Sequence, residues 1–600
     1  MPIPDAPNAE WLWANEPCRA ACPVHTDAGA YVTAIAEGRY EDAYLIARAP
    51  NPFPSVCGRV CAAPCERACR RGSLDAPVSI RALKRFVTER YGVESFAANA
   101  TWHDAHGEVP AATGESVGII GGGPAGLAAA CDLRLAGHPV TVYEAQEQLG
   151  GMMVLGIPEY RLPRALIARE IEAIVELGVE VVTGARVGET VTLDELLARH
   201  QALFLAVGTG VARDLDLPGH DLDGVMRAVE YLLNVNQGFK VELGEKVVVV
   251  GGGNVAFDAA RTALRAAAMH EHQPEPANLG SDANEDARRA MTTTLDVARS
   301  ARRAGVLDVT VIALESGDEI PADPEEIEEA ESEGIKIVFR RGPQRFVGTD
   351  RVTGLETIAV ASVFDAQGRF APTFTPNTEE VVPADTVILA VGQQADVSFA
   401  GDLEHTRAGG IHVDPTTLRT SHPKIWAGGD VAKGPRNLID AIADGRRAAA
   451  SIHAELAGVP VTDHHEVRVE LRVGYRRLDS DYDAIDRQPI PATPTDRRVG
   501  FGEVETGYDE RAARLEGLRC LRCFDNIMLS PELCILCGLC VDVCPPGCIT
   551  IVRADRNGFG TEHQSALLLD EDLCIRCGLC VNRCPPGALS MVHAKELIDG

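Results

Sequence analysis

Two stretches near the end of the chain share the pattern C-x2-C-x2-C-x3-C-P. They are Cys534, Cys537, Cys540 and Cys544, then Cys574, Cys577, Cys580 and Cys584. Thiolates at this spacing hold iron–sulfur cubes: three from one tight loop grip one [4Fe–4S] cluster, and the fourth, turned away by the proline, reaches the other. The expected sets are Cys534, Cys537, Cys540 and Cys584 for one cube, and Cys574, Cys577, Cys580 and Cys544 for the second. A structural zinc site would close four ligands on one ion, and two complete copies disfavour it. The copies form an internal repeat, LCILCGLCVDVCPPGCITIV against LCIRCGLCVNRCPPGALSMV. Cys548 stands where the second copy has Ala588 and reads as a bystander.

The other cysteines are grouped too. Of 18 in the chain, six lie within residues 18–69 and eleven within 520–584, leaving Cys131 apart. Such clustering reads as metal chelation rather than disulfide stapling. The first group runs Cys18-x3-Cys22-Pro, then Cys57, Cys61, Cys65 and Cys69.

Between the groups lie two glycine turns. Residues 117–120 form an apolar strand that leads into Gly121-Gly122-Gly123-Pro124-Ala125-Gly126 and an Ala-rich helix. Glycines there let the backbone approach a pyrophosphate seated on the helix N-terminus. A second strand, 139–143, ends at Glu144, an acid placed to accept from a ribose. The second turn, Gly251-Gly252-Gly253-Asn254-Val255-Ala256, follows strand 246–250. A polar insertion after its helix delays the next strand, 308–313, which leads to Glu315. His270 and His272 in that insertion read as loop residues, and the acidic run at 324–334 as a solvated helix face.

These motifs must be positioned by several domains. The chain has 600 residues, with 57 Lys+Arg against 87 Asp+Glu and a formal net charge of −30. That balance argues against nucleic acid and against an anionic membrane surface. The start lacks a basic and an apolar signal region. No apolar run approaches the ~20 residues of a membrane span. A cytoplasmic address is expected. Residues 1–105 carry helical stretches at 27–48 and 79–91; residues 115–456 have α/β texture. Residues 457–519 read as a polar linker with little capacity for a core, and a helical pattern at 508–518 leads into the last cysteines. Ile425-Trp426-Ala427-Gly428-Gly429-Asp430 follows the second turn yet suits the first nucleotide, so the first domain is expected to be split by the second. Residues 205–210 and 389–392 look like its crossing strands.

The terminal repeat resembles a bacterial two-cluster ferredoxin. The first cysteines, with NPFPSVCGRVCAAPCERAC and EAQEQLGGMMVLGIPEYRLP, resemble the glutamate synthase small subunit. They are also similar to the corresponding parts of dihydropyrimidine dehydrogenase and of bifurcating-type ferredoxin:NADP oxidoreductases. The resemblance implies a multidomain α/β protein: an α-helical Fe–S domain, two Rossmann-like domains with the NAD domain inserted in the FAD domain, and an α+β ferredoxin-like domain. The expected boundaries are 1–114 helical Fe–S, 115–224 and 393–456 FAD, 225–392 NAD(P), 457–530 linker and 531–600 ferredoxin.

It further implies FAD at Gly121, Gly123, Pro124, Ala125, Gly126, Glu144, Gly150, Gly151, Arg161, Val187, Gly429, Asp430 and Ala441, with a helix starting near Ala441. The pyridine nucleotide falls to Gly251, Gly253, Asn254, Val255, Ala256, Glu315, Val391 and Gly392. Relatives that use NADP tend to carry arginines after the second-domain strand, where this chain has Ala313, Leu314 and Glu315. A carboxylate repels a 2′-phosphate but can bond a free 2′-hydroxyl, so NAD(H) is expected over NADP(H), with Arg299, Arg302 and Arg303 as the residues that could reverse it.

The family usually begins with an R-C-x-x-C-G segment, which is missing before Cys18. Arg519-Cys520-Leu521-Arg522-Cys523 occurs instead after the linker, and its return to the N-terminal domain would supply the missing pair. Cys18, Cys69, Cys520 and Cys523 would then hold one cube, and Cys22, Cys61 and Cys65 part of another. The family's fourth-ligand position falls on Lys84, whose ammonium has no lone pair; Cys57 is the nearest substitute. The count becomes four [4Fe–4S] clusters. No acid–base catalytic residue is nominated, because the flavin carries the chemistry. The implied activity is NAD(P)H:ferredoxin-type oxidation within a hetero-oligomer, its partner a ferredoxin or a larger redox subunit such as a 2-oxoacid:ferredoxin oxidoreductase. The alternatives are a glutamate synthase small subunit and a non-enzymatic Fe–S carrier; a pyrimidine reductase would need a barrel domain that is missing here.

Overall fold

The computed structural model describes residues 11, 15–95, 109–111, 115–269, 308–460, 466–475, 484–498, 500–553 and 565–597. The chain divides into two compact units. One comprises Met1–Glu108, Ala457–Pro491 and Gly507–Gly600, the other Val109–Leu456 and Ala492–Thr506. Residues 270, 272, 299, 302 and 303 lie outside the described residues.

The second unit is built on two parallel sheets. Short apolar runs such as Val117–Ile120, buried along their whole length, suit sheets covered on both faces. The first sheet orders its strands Ile425–Ala427, Ala202–Leu205, Val117–Ile120, Val140–Tyr143 and Glu180–Val182. The other orders Val225–Arg227, Thr386–Leu389, Lys246–Val250, Asp308–Ile312 and Lys336–Val338. All five strands of this sheet fall in the chain between two neighbouring strands of the first, so one nucleotide-binding domain is inserted in the other. The antiparallel pair Val211–Ala212 and Gln393–Gln394 marks the two crossings. The expectation that 389–392 is a crossing strand of the first domain is corrected: Thr386–Leu389 pairs with Lys246–Val250 in the inserted sheet, and the chain turns only afterwards, at Gly392 with φ +107°.

The first unit brings distant segments together. Helices Ala28–Ala36, Tyr40–Arg48 and Ile80–Tyr91 enclose a core of Tyr31, Ile35, Tyr44, Leu83 and Phe86. The 27–48 stretch is two helices rather than one because Gly38, at φ +80°, ends the first in the left-handed conformation that glycine favours. Helix Glu510–Leu518 packs into the same core through Ala513, and Tyr508 just before it joins that core. The approach is close: a Cβ on Gly517 would lie 3.0 Å from the Val32 carbonyl oxygen. Fully buried Glu516 accepts from the Ser79 and Gln488 amides at 2.8 Å each and from Arg519 Nη1 at 2.7 Å. Arg519 also donates to Asp75 Oδ1 at 3.0 Å and to the Pro77 carbonyl at 3.2 Å. A buried pair so fully bonded offsets its desolvation and fixes where the segment docks.

The same unit holds the terminal repeat as two small antiparallel arrays. Leu589–Leu597 lies between Asp525–Leu529 and Glu466–Leu471, and Ile549–Arg553 pairs with Ser565–Leu569. The reading of 457–519 as a coreless linker is therefore corrected. Residues 466–471 add an edge strand to the repeat, and Val504 joins a core of the other unit. Among the described residues, no helix is long and apolar enough to cross a membrane.

Candidate functional site

Six regions gather the chemistry-bearing residues. In the first parallel sheet, Gly121 takes φ +108°, and a Cβ on it would stand 2.4 Å from the Ala206 carbonyl oxygen. Glycine is required there by both conformation and contact. Glu144, at the end of the neighbouring strand, folds over the turn. Its Oε2 accepts from the Gly122 amide at 2.7 Å, and its Oε1 from Gln146 at 2.8 Å. The turn opens into a cavity of ≈ 400 Å³, within the ~300–1,000 Å³ usual for ligand pockets.

Gly121, Gly123, Pro124, Ala125, Glu144, Gly151, Val187, Gly429, Asp430 and Ala441 line this cavity. The helix above it begins at Leu438, three residues before Ala441. Gly126 and Gly150 stand behind the lining. A Cβ on Gly126 would fall 2.0 Å from the Gly121 carbonyl oxygen, and Gly150 turns the chain at φ +118°. Asp430 accepts from the Arg436 amide at 3.2 Å and from Thr209 Oγ1 at 3.4 Å. Burial pushes its carboxyl up to about 6. Sequence reasoning missed Thr209, which it read only as part of a strand end.

Arg161 is not among the residues that line the cavity: its Nη1 pairs with Asp258 at 2.7 Å and its Nη2 with Glu326. A largely buried guanidinium is held where carboxylates compensate it, and two carboxylates of the inserted domain do so here.

The second glycine turn repeats the arrangement. Gly251 takes φ +143° and its Cβ would meet the Ala390 carbonyl oxygen at 2.3 Å. A Cβ on Gly252 would meet Glu315 Oε2 at 2.8 Å, so this carboxylate overhangs its turn as Glu144 overhangs the first. Asn254 exchanges two hydrogen bonds with Asp323, at 3.0 and 2.9 Å. Val255 and the buried Ala256 open the helix, and Val391 and Gly392 follow the neighbouring strand. Arg340 donates its amide to the Glu315 carbonyl at 3.0 Å but turns its guanidinium to Glu319 at 2.7 Å.

The cysteines of the first unit fall into four groups. Cys18, Cys69, Cys520 and Cys523 line one small cavity with Val32, Ile80 and Phe524. Cys534, Cys537, Cys540 and Cys584 line a second. Cys544, Cys574, Cys577 and Cys580 line a third together with Cys548. Cys548, read from sequence as a bystander, lines this cavity too, with its Sγ 3.3 Å from that of Cys544.

The fourth group surrounds Lys84. Cys57 is fully buried and shares a hydrogen bond with Cys61. Burial works to lower the Lys84 pKa, and the charges of Cys57, Cys22, Cys61 and Cys65 more than offset it, so the ammonium is held up. An ammonium in that position has no lone pair to offer a metal. Among the described residues, no three His, Cys, Asp or Glu side chains gather tightly enough for a single ion. The thiols line cavity walls instead, and grouped thiols in apolar cavities fit a cluster's donor set.

Residues 115–445, more than half of the chain, match the family described as pyridine nucleotide-disulphide oxidoreductase. The chain belongs to this family. Residues 13–95 match the dihydropyrimidine dehydrogenase domain II, 4Fe-4S cluster, and residues 533–588 a 4Fe-4S dicluster domain. It is 38% identical over 540 residues to the NADP(+)-dependent formate dehydrogenase subunit beta of Moorella thermoacetica, covering 85% of this chain and 71% of that one. It is 32% identical over 548 residues to the NADPH-Fe(3+) oxidoreductase subunit beta of Geobacter sulfurreducens, covering 85% and 75%. With the glutamate synthase [NADPH] small chain of Azospirillum brasilense it shares 32% over 447 residues, covering 73% and 86%. In this oxidoreductase, then, a flavin- and pyridine-nucleotide-binding core is accompanied by iron–sulfur regions near both ends of the chain.

Proposed function

We propose that this chain is the nicotinamide-dependent electron-transfer subunit of a larger redox enzyme, with FAD at the first glycine turn, NAD(H) at the other, and four [4Fe–4S] clusters. The observation that carries this reading is the pairing of two acid-overhung glycine turns in one unit with four cysteine groups in the other. When bound, the flavin exchanges a hydride with nicotinamide and the clusters carry single electrons. The residues' part is to bind and orient. Glu144 would hold the adenosine ribose, the glycine backbone would admit the pyrophosphate, and Asp430 would accept from the ribityl chain. The N-terminus of helix Leu438–Ala457 would present its dipole to the O2 side of a flavin bound there.

Glu315 supports NAD(H) over NADP(H), against the NADP(+) and NADPH in the relatives' names, because its carboxylate occupies the ribose end of the second turn. Cys57 is the fourth ligand beside Cys22, Cys61 and Cys65, since protonated Lys84 has no lone pair. The relatives are named as beta subunits or small chains, which supports a hetero-oligomer. Their names lend no support to a 2-oxoacid:ferredoxin oxidoreductase as the assembly. The ferredoxin-type repeat favours delivery to a redox subunit or a ferredoxin over a glutamate synthase role. Cysteines grouped for metal chelation suit a reducing, cytoplasmic compartment.

The test is anaerobic addition of NADH to the purified holoprotein. Flavin absorbance should bleach and a viologen should then be reduced; bound flavin that neither NADH nor NADPH bleaches would leave only a passive carrier. A second expectation concerns Asp430. Binding a ribityl hydroxyl favours its ionised form, so FAD affinity should rise with pH through about 6. Asp430→Asn should flatten that profile and weaken FAD about tenfold, as read by flavin fluorescence after dialysis. A variant that keeps the wild-type slope would remove Asp430 from the flavin site.

A further inference from the structure

The two C-x2-C turns of the repeat differ at one position. Leu536 and Arg576 each precede the second cysteine of their turn, with φ +52° and +54°. The turn itself does not ask for arginine: Leu536 is 40% exposed, whereas Arg576 is fully buried. Its Nη1 donates to the carbonyls of Glu571, at 2.9 Å, and Cys574, and its Nη2 donates to Glu571 Oε2 at 2.9 Å. Its Nε is buried without a hydrogen-bond partner.

The guanidinium stands between two cysteine groups. On one side it lines the cavity of Cys544, Cys574, Cys577 and Cys580. On the other, Arg70 lines the cavity of Cys18, Cys69, Cys520 and Cys523. Arg70 in turn pairs with Asp572 at 3.0 Å, tying the helical core to the loop that carries Arg576. The covalent chain keeps the cavities close: Cys523 lines one and Ile527 the other, a separation of at most about 13 Å at full extension.

We propose that Arg576 is a cation shared by these two cluster sites, raising the reduction potential of both and marking them as adjacent stations of one relay. A buried positive charge favours the more negative, reduced state of each neighbour, and more strongly than it would in water. This rests on the cluster reading of the cysteines given above. The exposed Leu536 leaves the remaining ferredoxin-type site without such a charge, so its potential is set independently.

The experiment is a redox titration followed by electron paramagnetic resonance, with iron counted in each sample. Arg576→Gln should retain the wild-type iron and lower two cluster midpoints by at least about 59 mV, a tenfold change in a one-electron equilibrium. The other two should not move. Glu571→Gln removes the compensating carboxylate and should shift the same two midpoints upward. Full iron with all midpoints unmoved, or movement of one cluster alone, would overturn the sharing. If Arg576→Gln loses iron, Glu571→Gln decides: opposite movement of two midpoints supports the proposal, and none refutes it. Wild-type protein without clusters would instead bring down the cluster reading itself.

Discussion

Replacing Cys520 and Cys523 together by alanine should remove about four of some sixteen iron atoms per chain, the content of one cube. FAD should remain bound. The expectation follows from the cavity that these thiols share with Cys18 and Cys69. The returning helix stays anchored through Glu516 and Arg519, whose bonds to Ser79, Asp75 and Pro77 do not involve the cysteines. The substitution should therefore delete a cluster rather than unfold the unit. One resonance signal should vanish while the other three persist. A double variant with the full iron complement would show that the pair ligates nothing, and loss of about eight irons would mean that neighbouring sites depend on it.

Glu315→Arg should move nicotinamide selectivity towards NADPH by roughly 30- to 150-fold in the ratio of kcat/KM values. The estimate is about 2–3 kcal/mol for gaining a charge-assisted bond to the 2′-phosphate in place of a repelling carboxylate. Glu315 overhangs Gly252, so the new guanidinium would start from the ribose end of the turn. Arg340 pairs with Glu319 at 2.7 Å. Steady-state rates with both nucleotides check the prediction. Equal kcat/KM for NADH and NADPH in the wild type would refute the preference itself.

Much of the architecture was legible because short motifs carry strict physical demands. A glycine turn after an apolar strand admits few alternatives, and the Gly-Gly-Asp segment after the second turn already implied a split domain. Less legible were features decided by partners distant in the chain. The IPEYRLP segment around Arg161 suggested a flavin contact, yet nothing local reveals Asp258 and Glu326 waiting in the inserted domain. Strand Glu466–Leu471 looked like linker because its polar texture hides a register with Leu589–Leu597. Cys548 was set aside because its counterpart is Ala588, although a cysteine just past the Pro-Pro turn folds back beside Cys544. The same comparison of repeats, Leu536 against Arg576, held a signal that went unread.

The helical core is closed by residues from opposite ends of the chain, and this imposes a timetable on its birth. Cys18 and Cys69 leave the ribosome about 500 residues before Cys520 does, a delay of roughly 25–100 s at 5–20 residues per second. Throughout that interval the helices that will receive Glu510–Leu518 expose the apolar groove against Val32 and Ala36. Their thiols are half of an unfinished chelate. Loading with iron must either wait for release of the finished chain or pass through an incomplete, oxidisable state. Expression of this protein should thus be limited by the order in which its parts are synthesised, and slow translation of the middle of the gene should cost yield of clusters before it costs yield of polypeptide.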